Sequence, residues 1–248
     1  MKTKKQISTI LILMFLSAMV FAQSHENQLY YALKQTVKTG KIDEYRNLLT
    51  QLTAAFEKYN YPYTFSGWQS SVTNFYYFYP VDDYNQVENI FQEAWKIIPE
   101  LKEGFAQEFN ETIESWDDFF IRSMDSLSYD PKNPTDQELV YAEWYIFYNS
   151  TWSIWKYTEA FEHGVETLKK INFEYPVLRF HGEIGMNSPN IITVFWGKDA
   201  ADLHAHRNQI WNNMDSEIQK MFNDLTSTTR KFETIPFWYQ EDLSYSPE

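Results

Sequence analysis

Two stretches of this chain repeat each other at the distance of a domain. Leu127, Ser128, Tyr129 and Pro131 recur as Leu243, Ser244, Tyr245 and Pro247, each 116 positions later. That spacing suits a compact domain; solenoid repeats run to only about 20–50 residues. The chain is therefore read as one unit written twice, with Leu-Ser-Tyr marking the end of each copy. Asp83 and Trp95 recur at the same spacing as Asp199 and Trp211, while Gly67 and Gly182 are matched at 115, a one-residue difference that a hairpin tolerates.

Hydrophobic periodicity gives both copies one element order. In the first, Leu29–Val37 alternates as a strand, and Ile42, Tyr45, Leu48, Leu49, Leu52 and Phe56 follow at helical spacing. Tyr61–Trp68 and Val72–Tyr79 read as a hairpin whose second strand Pro80 stops. Val87, Ile90, Phe91, Ala94, Trp95 and Ile98 make the stripe of a second helix that Asp82 or Asp83 can cap and Pro99 breaks. A further helical piece carries Leu101, Phe105, Phe109 and Ile113, and Phe119–Met124 is the last strand.

In the second copy Leu139–Tyr148 is a strand and Trp155, Phe161, Val165 and Leu168 lie on a helix. Pro176–Ile184 and Ile191–Trp196 form the hairpin. Asp199 caps one long helix whose stripe runs from Leu203 to Leu225, and Ile235–Tyr239 closes the unit. Strand, helix, strand, strand, helix, strand is the split βαβ arrangement of ferredoxin-like domains. The fold class is α+β: two tandem ferredoxin-like units, residues 23–133 and 134–248, joined by a linker with Pro131 and Pro134.

On this element order, the duplicated Leu-Ser-Tyr tail and the paired tryptophans, the chain resembles the dimeric α+β barrel superfamily and its antibiotic-biosynthesis-monooxygenase and NIPSNAP-like members. The resemblance implies two antiparallel sheets packed as one barrel with helices outside, a monomer with internal pseudo-twofold symmetry. Members of that superfamily include cofactor-free monooxygenases, haem-binding enzymes and ligand-binding proteins, so the fold leaves function open.

The N-terminus bears on compartment. Lys2, Lys4 and Lys5 precede an apolar run from Ile7 to Val20 that ends at Ala22, the pattern of a secretory signal peptide at 1–22. The run is short of the roughly 20 residues a spanning helix needs. The mature chain is expected in a periplasm or outside the cell, with no membrane attachment after cleavage. Loss of three lysines leaves 18 basic against 34 acidic residues, a net charge of −16. Such a balance excludes nucleic acid as a partner, since phosphate binding needs a basic stripe. There is no Cys, so packing alone supplies stability.

Chemistry is sought where the copies differ. Ile90 and Phe91 become His206 and Arg207 on the helix, beside Trp211. On the strand, Thr64, Ser66 and Trp68 are matched to Arg179, His181 and Glu183, which alternate and share a face. Polar groups on an apolar stripe are costly unless paired or wet. They outline a pocket in the second unit in which His181 or His206 moves a proton, Arg207 or Arg179 holds an anion, and Glu183, Trp196 and Trp211 complete the ligand-binding lining. The plainer alternative is that Arg179 pairs with Glu183, Arg207 snorkels and His206 bonds a carbonyl.

No metal or cofactor is called for. His204 and His206 stand two apart, which points them in different directions on a helix, and no nucleotide fingerprint, G-x-S-x-G or calcium loop appears. Haem on one helical His enters only through the resemblance. Three readings follow: a binding protein enclosing a small apolar or aromatic ligand, a cofactor-independent monooxygenase using His181 or His206 as base, and a structural module with a filled core.

Overall fold

Alternating apolar residues in Leu29–Val37 bury both faces of the first strand, because one face turns into a barrel and the other receives helices. The computed structural model describes residues 27–132, 134–135, 138–149 and 154–247; the expected signal peptide lies outside them. The first half runs β1 (Leu29–Val37), α1 (Ile42–Lys58), β2 (Ser66–Gln69), β3 (Asn74–Val81), α2 (Gln86–Ile97), α3 (Phe105–Thr112) and β4 (Ile113–Ser123). The second runs β5 (Tyr141–Tyr148), α4 (Ile154–Lys170), β6 (Val177–Gly182), β7 (Asn190–Gly197), α5 (Ala200–Asn213), α6 (Ser216–Thr228) and β8 (Lys231–Tyr239).

The eight strands close a barrel in the order β1-β3-β2-β8-β5-β7-β6-β4. Every ladder is antiparallel, and β2–β8 and β4–β6 join the halves. An eight-stranded barrel is just wide enough for side chains to fill it. Aromatic residues do so: Trp68, Phe78, Trp144, Trp196 and Phe237 surround a void of about 20 Å³, room for one water. The other sheet face carries separate cores under the helices, including Tyr31, Tyr45 and Phe75 in the first half and Tyr157, Phe161 and Ile191 in the second.

The repeated tail makes the same contacts twice. Tyr245 bridges to Phe65 and Tyr129 to Val177. Ser244 Oγ accepts from the Gly67 N–H and Ser128 Oγ from the Arg179 N–H, both at 2.8 Å. Leu243 and Leu127 are buried, each closing a short 3-10 turn.

These contacts correct the strand matching. Gly67 stands where Arg179 stands, an offset of 112 rather than 115. The ladders agree: Leu29 pairs with Val81 where Tyr141 pairs with Gly197, so β1 and β5 are offset by 112 and β3 and β7 by 116. The β6–β7 hairpin therefore holds four more residues than β2–β3, and the counterparts of Arg179 and His181 are Gly67 and Gln69. Matching glycines across a hairpin of unequal length misplaced them.

Other boundaries also move. Pro80 lies inside β3, beyond Phe78, the last residue that β2 pairs, where a missing N–H is tolerated. The acidic run Glu114–Asp118 is an exposed part of β4. The long second-half helix is two: the chain turns extended at Met214, and Asp215 caps α6 by accepting from Glu217 N and Ile218 N. Trp95 and Trp211 belong to the surface, at 57 % and 39 % exposure. The fully buried pairs on their helices are Ile90 with Ile97 and Leu203 with Ile210, seven apart, so each helix rests on a narrow line and the Trp falls beside it.

Candidate functional site

A carboxylate in the middle of an apolar strand marks the site. Tyr141, Glu143 and Tyr145 alternate on β5 and so point to one side, away from the barrel and toward α5. Glu143 is 5 % exposed. Tyr141 Oη donates to its Oε1 at 2.6 Å and Tyr145 Oη to its Oε2. From α5, His204 Nε2 comes within 3.5 Å of Glu143 Oε1 and Arg207 Nη1 donates to Tyr145 Oη. His204 and Arg207 are three apart, which sets them on one helix face. The Arg207 guanidinium lies 4.1 Å from the Tyr145 ring centre and 5.7 Å from that of Phe195.

Strand β8 supplies the rim. Pro236 stands opposite Glu143, Trp238 opposite Tyr141 and Thr234 opposite Tyr145. The Trp238 ring meets Tyr141 at 5.4 Å and Phe232 meets Tyr145 at 6.0 Å. Trp238 and Phe232 are about half exposed, as is the His204 side chain. The buried carboxylate is thus overlain by groups that solvent and small molecules reach.

Burial raises the pKa of both phenols, and donation to Glu143 raises it further. Both stay protonated at neutral pH and act as donors. A buried carboxylate held by two phenols, with a guanidinium one bond further on, is a satisfied polar network. His204 stands at its open side with Nε2 toward the carboxylate. The arrangement can receive the polar end of a small molecule and pass a proton at the Glu143–His204 edge.

At the same place the first half is apolar. Glu143 takes the position of Tyr31, and where His204 of the helix approaches Glu143, Phe91 packs on Tyr31. There Tyr31 packs on Phe91 at 6.0 Å, on Phe120 at 5.4 Å and on Tyr79 at 6.1 Å.

The residues singled out in the sequence fall into separate groups. Arg207 belongs to the Glu143 network. His206 faces Asp202 at 3.4 Å and lies against Tyr175, ring centres 3.7 Å apart, with Phe173 at its edge. His181 contacts Glu183 at 3.2 Å, and Glu183 is held by Arg122 Nε at 2.6 Å and by Tyr84 Oη. His181 and His206 share no partner. Arg179 is buried over the Phe161 ring and donates to the Leu127 carbonyl; it forms no ion pair with Glu183. Trp196 faces the barrel interior against Trp68, and Trp211 is on the surface.

Glu143 was missed because one Glu in Tyr-Ala-Glu-Trp-Tyr reads as a flaw in a buried strand. The usable signal was the Tyr-x-Glu-x-Tyr alternation together with the His204–Arg207 spacing. A haem does not fit the helix: His206 is covered by Tyr175 with its Nε2 at Asp202, and His204 turns its Nε2 to Glu143.

No protein-family model matches the chain, and no curated protein matches it. Solved structures share the fold. A "Putative monooxygenase" from Fusobacterium nucleatum is 13% identical, covering 91% of this chain and 100% of its own, with a TM-score of 0.58. An anthrone oxidase-like protein is 11% identical over 88% of this chain and 93% of its own, at 0.55. A mutant chlorite dismutase from Candidatus Nitrospira defluvii, in complex with cyanide, is 9% identical over 88% and 92%, at 0.56. The fold is thereby common to this chain and to them.

Proposed function

We propose that this chain is an exported tandem of two ferredoxin-like units, 23–133 and 134–248, whose second unit binds a small, largely apolar or aromatic molecule on the outer sheet face under α5. Glu143, His204 and Arg207 receive its polar end; Trp238, Phe232 and the Tyr141 and Tyr145 rings flank its apolar part. The observation that carries this reading is the exchange of a Tyr31–Phe91–Phe120 packing cluster for a Glu143–Tyr145–Arg207 network at the same place in the fold. A purely structural module has no use for that exchange, since an aromatic cluster like that around Tyr31 already fills the same place under the helix.

The pairing of His204 with Glu143 favours a second reading, in which the bound molecule loses a proton there. Fold relatives described as a monooxygenase and as anthrone oxidase-like make oxidation of an aromatic substrate the reaction to look for, by analogy of fold. In that case His204 with Glu143 is the base, in preference to His181 within its Arg122–Glu183 group or His206 beneath Tyr175.

One experiment separates the readings. The purified chain from Gln23 onward is incubated in air with pooled small aromatic metabolites, and retained and changed molecules are read by mass spectrometry. A molecule retained unchanged supports binding, and an oxidised product supports catalysis. The variant Glu143→Gln, which keeps the shape, should lose either signal at least tenfold. An unaltered signal in Glu143→Gln and in His204→Ala rejects the site.

A further inference from the structure

A buried cation without a counter-charge lies two strands away from Glu143, on the far side of β7. Arg179, on β6, is 4 % exposed. Its Nη1 donates to the Leu127 carbonyl, and its Nε has no partner. Among the described residues no carboxylate stands within ion-pair distance of it. Burial draws its pKa down to about 9, still cationic at neutral pH.

Its cross-strand neighbour has the same deficit. Thr193 pairs with Arg179 in the β6–β7 ladder, and Thr193, 2 % exposed, has an Oγ1 without a partner. Paired residues of neighbouring strands point to one face with Cβ atoms about 5 Å apart. Both therefore face the helices, where Phe161 lies under the guanidinium at 4.3 Å. Gly164 of α4 presents bare backbone there; a Cβ on it would meet Phe222 at 3.6 Å and Arg179 Nη2 at 3.7 Å. Two unsatisfied buried donors, one of them charged, are expensive side by side. In the first half Gly67 stands in place of Arg179, with the Leu243 carbonyl so close that a Cβ would come within 2.5 Å of it. The cation is thus an addition to the second half.

We infer that Arg179 and Thr193 form a buried binding site for a single carboxylate, between β6–β7 and helices α4 and α6. With Nη1 committed to Leu127, the guanidinium keeps its Nε edge. That edge suits the side-on, two-bond approach of a carboxylate, and the Thr193 hydroxyl adds a third donor. Phe161 and Phe222 make the surroundings apolar, which favours a carboxylate carried on a short apolar or aromatic group over a hydrated polyvalent anion. This site is independent of the Glu143 reading and stands or falls separately.

Thermal unfolding of the full mature chain tests it, with sodium acetate and sodium benzoate compared against sodium chloride at equal ionic strength. A ligand held only by the folded state raises Tm, by roughly 5 °C near a hundredfold excess over Kd. The expected result is such a rise with acetate or benzoate in the parent chain and none in Arg179→Met, which keeps much of the volume and removes the charge. If Arg179→Met does not fold, Thr193→Val, which matches the shape without the hydroxyl, must at least halve the rise. No rise in the parent chain, or an equal rise in the variant, overturns the site.

Discussion

The hydroxyl of Ser244 accepts the backbone N–H of Gly67 at 2.8 Å across 177 residues. It also donates to the Gln240 carbonyl at 2.8 Å, so one side chain ties the end of the chain to β2 and closes its own turn. Ser128 does the same between Arg179 and Met124.

Removing either end of that contact should be felt. Ser244→Ala leaves a half-buried N–H without an acceptor and is expected to cost about 1–2 kcal/mol. Gly67→Ala should cost more, about 2–3 kcal/mol, because the new Cβ would be 2.5 Å from the Leu243 carbonyl, and backbone must move. Urea unfolding midpoints of the two variants check the order.

Glu143 supports the structure as well as the proposed site. Replacing it by Leu removes the acceptor of two buried phenols, one of which also accepts from Arg207. About 3 kcal/mol of destabilisation is expected, with Gln giving a smaller loss. Denaturant melts of Glu143→Leu and Glu143→Gln measured side by side decide this; a Leu variant as stable as the parent contradicts the network.

His206 introduces a pH dependence near neutrality. Burial lowers its pKa, and Lys198 adds to that, outweighing Asp202 and Glu174. Because the folded pKa is depressed, the unfolded chain takes up the proton first. Stability is full above the unfolded value of about 6.5 and falls as pH drops from there through the folded value. His206→Gln should flatten the part of the stability curve that falls below about pH 6.5.

Glu183 adds a second, more acidic limb. Burial alone would raise its pKa, but hydrogen bonds from Arg122 and Tyr84 and the charges of Arg122 and His181 bring the net shift down. The stabilisation is present above the unfolded carboxylate value of about 4.3 and is lost as pH falls through the lower folded one. Since this group joins β4 to the β6–β7 hairpin, Glu183→Gln should reduce the loss of stability below about pH 4.3, read from denaturant midpoints at each pH.

The sequence by itself determined the order of elements apart from the helix break at Met214, the repeated Leu-Ser-Tyr anchor and the helix start at Asp199, since each rests on local chemistry. Periodicity of 2 or 3.6 and a side chain able to cap a nearby N–H need no distant partner. It also pointed to the second half as the place of unusual polarity, and Arg207 is part of the network found there.

Only the tertiary structure decided which polar residues meet. The four extra residues in the β6–β7 hairpin shift the correspondence of strands, so that Arg179 matches Gly67. Closing the sheet into a barrel sends Leu178 and Phe180 inward and Arg179 and His181 outward. Packing α5 across β5 and β7 brings His204 and Arg207 onto Glu143, about 60 residues earlier, while His181 is drawn to Arg122 of the other half. Strand register and helix placement are set by long-range pairing and by the volume of an aromatic core, and neither is written in any single stretch of the chain.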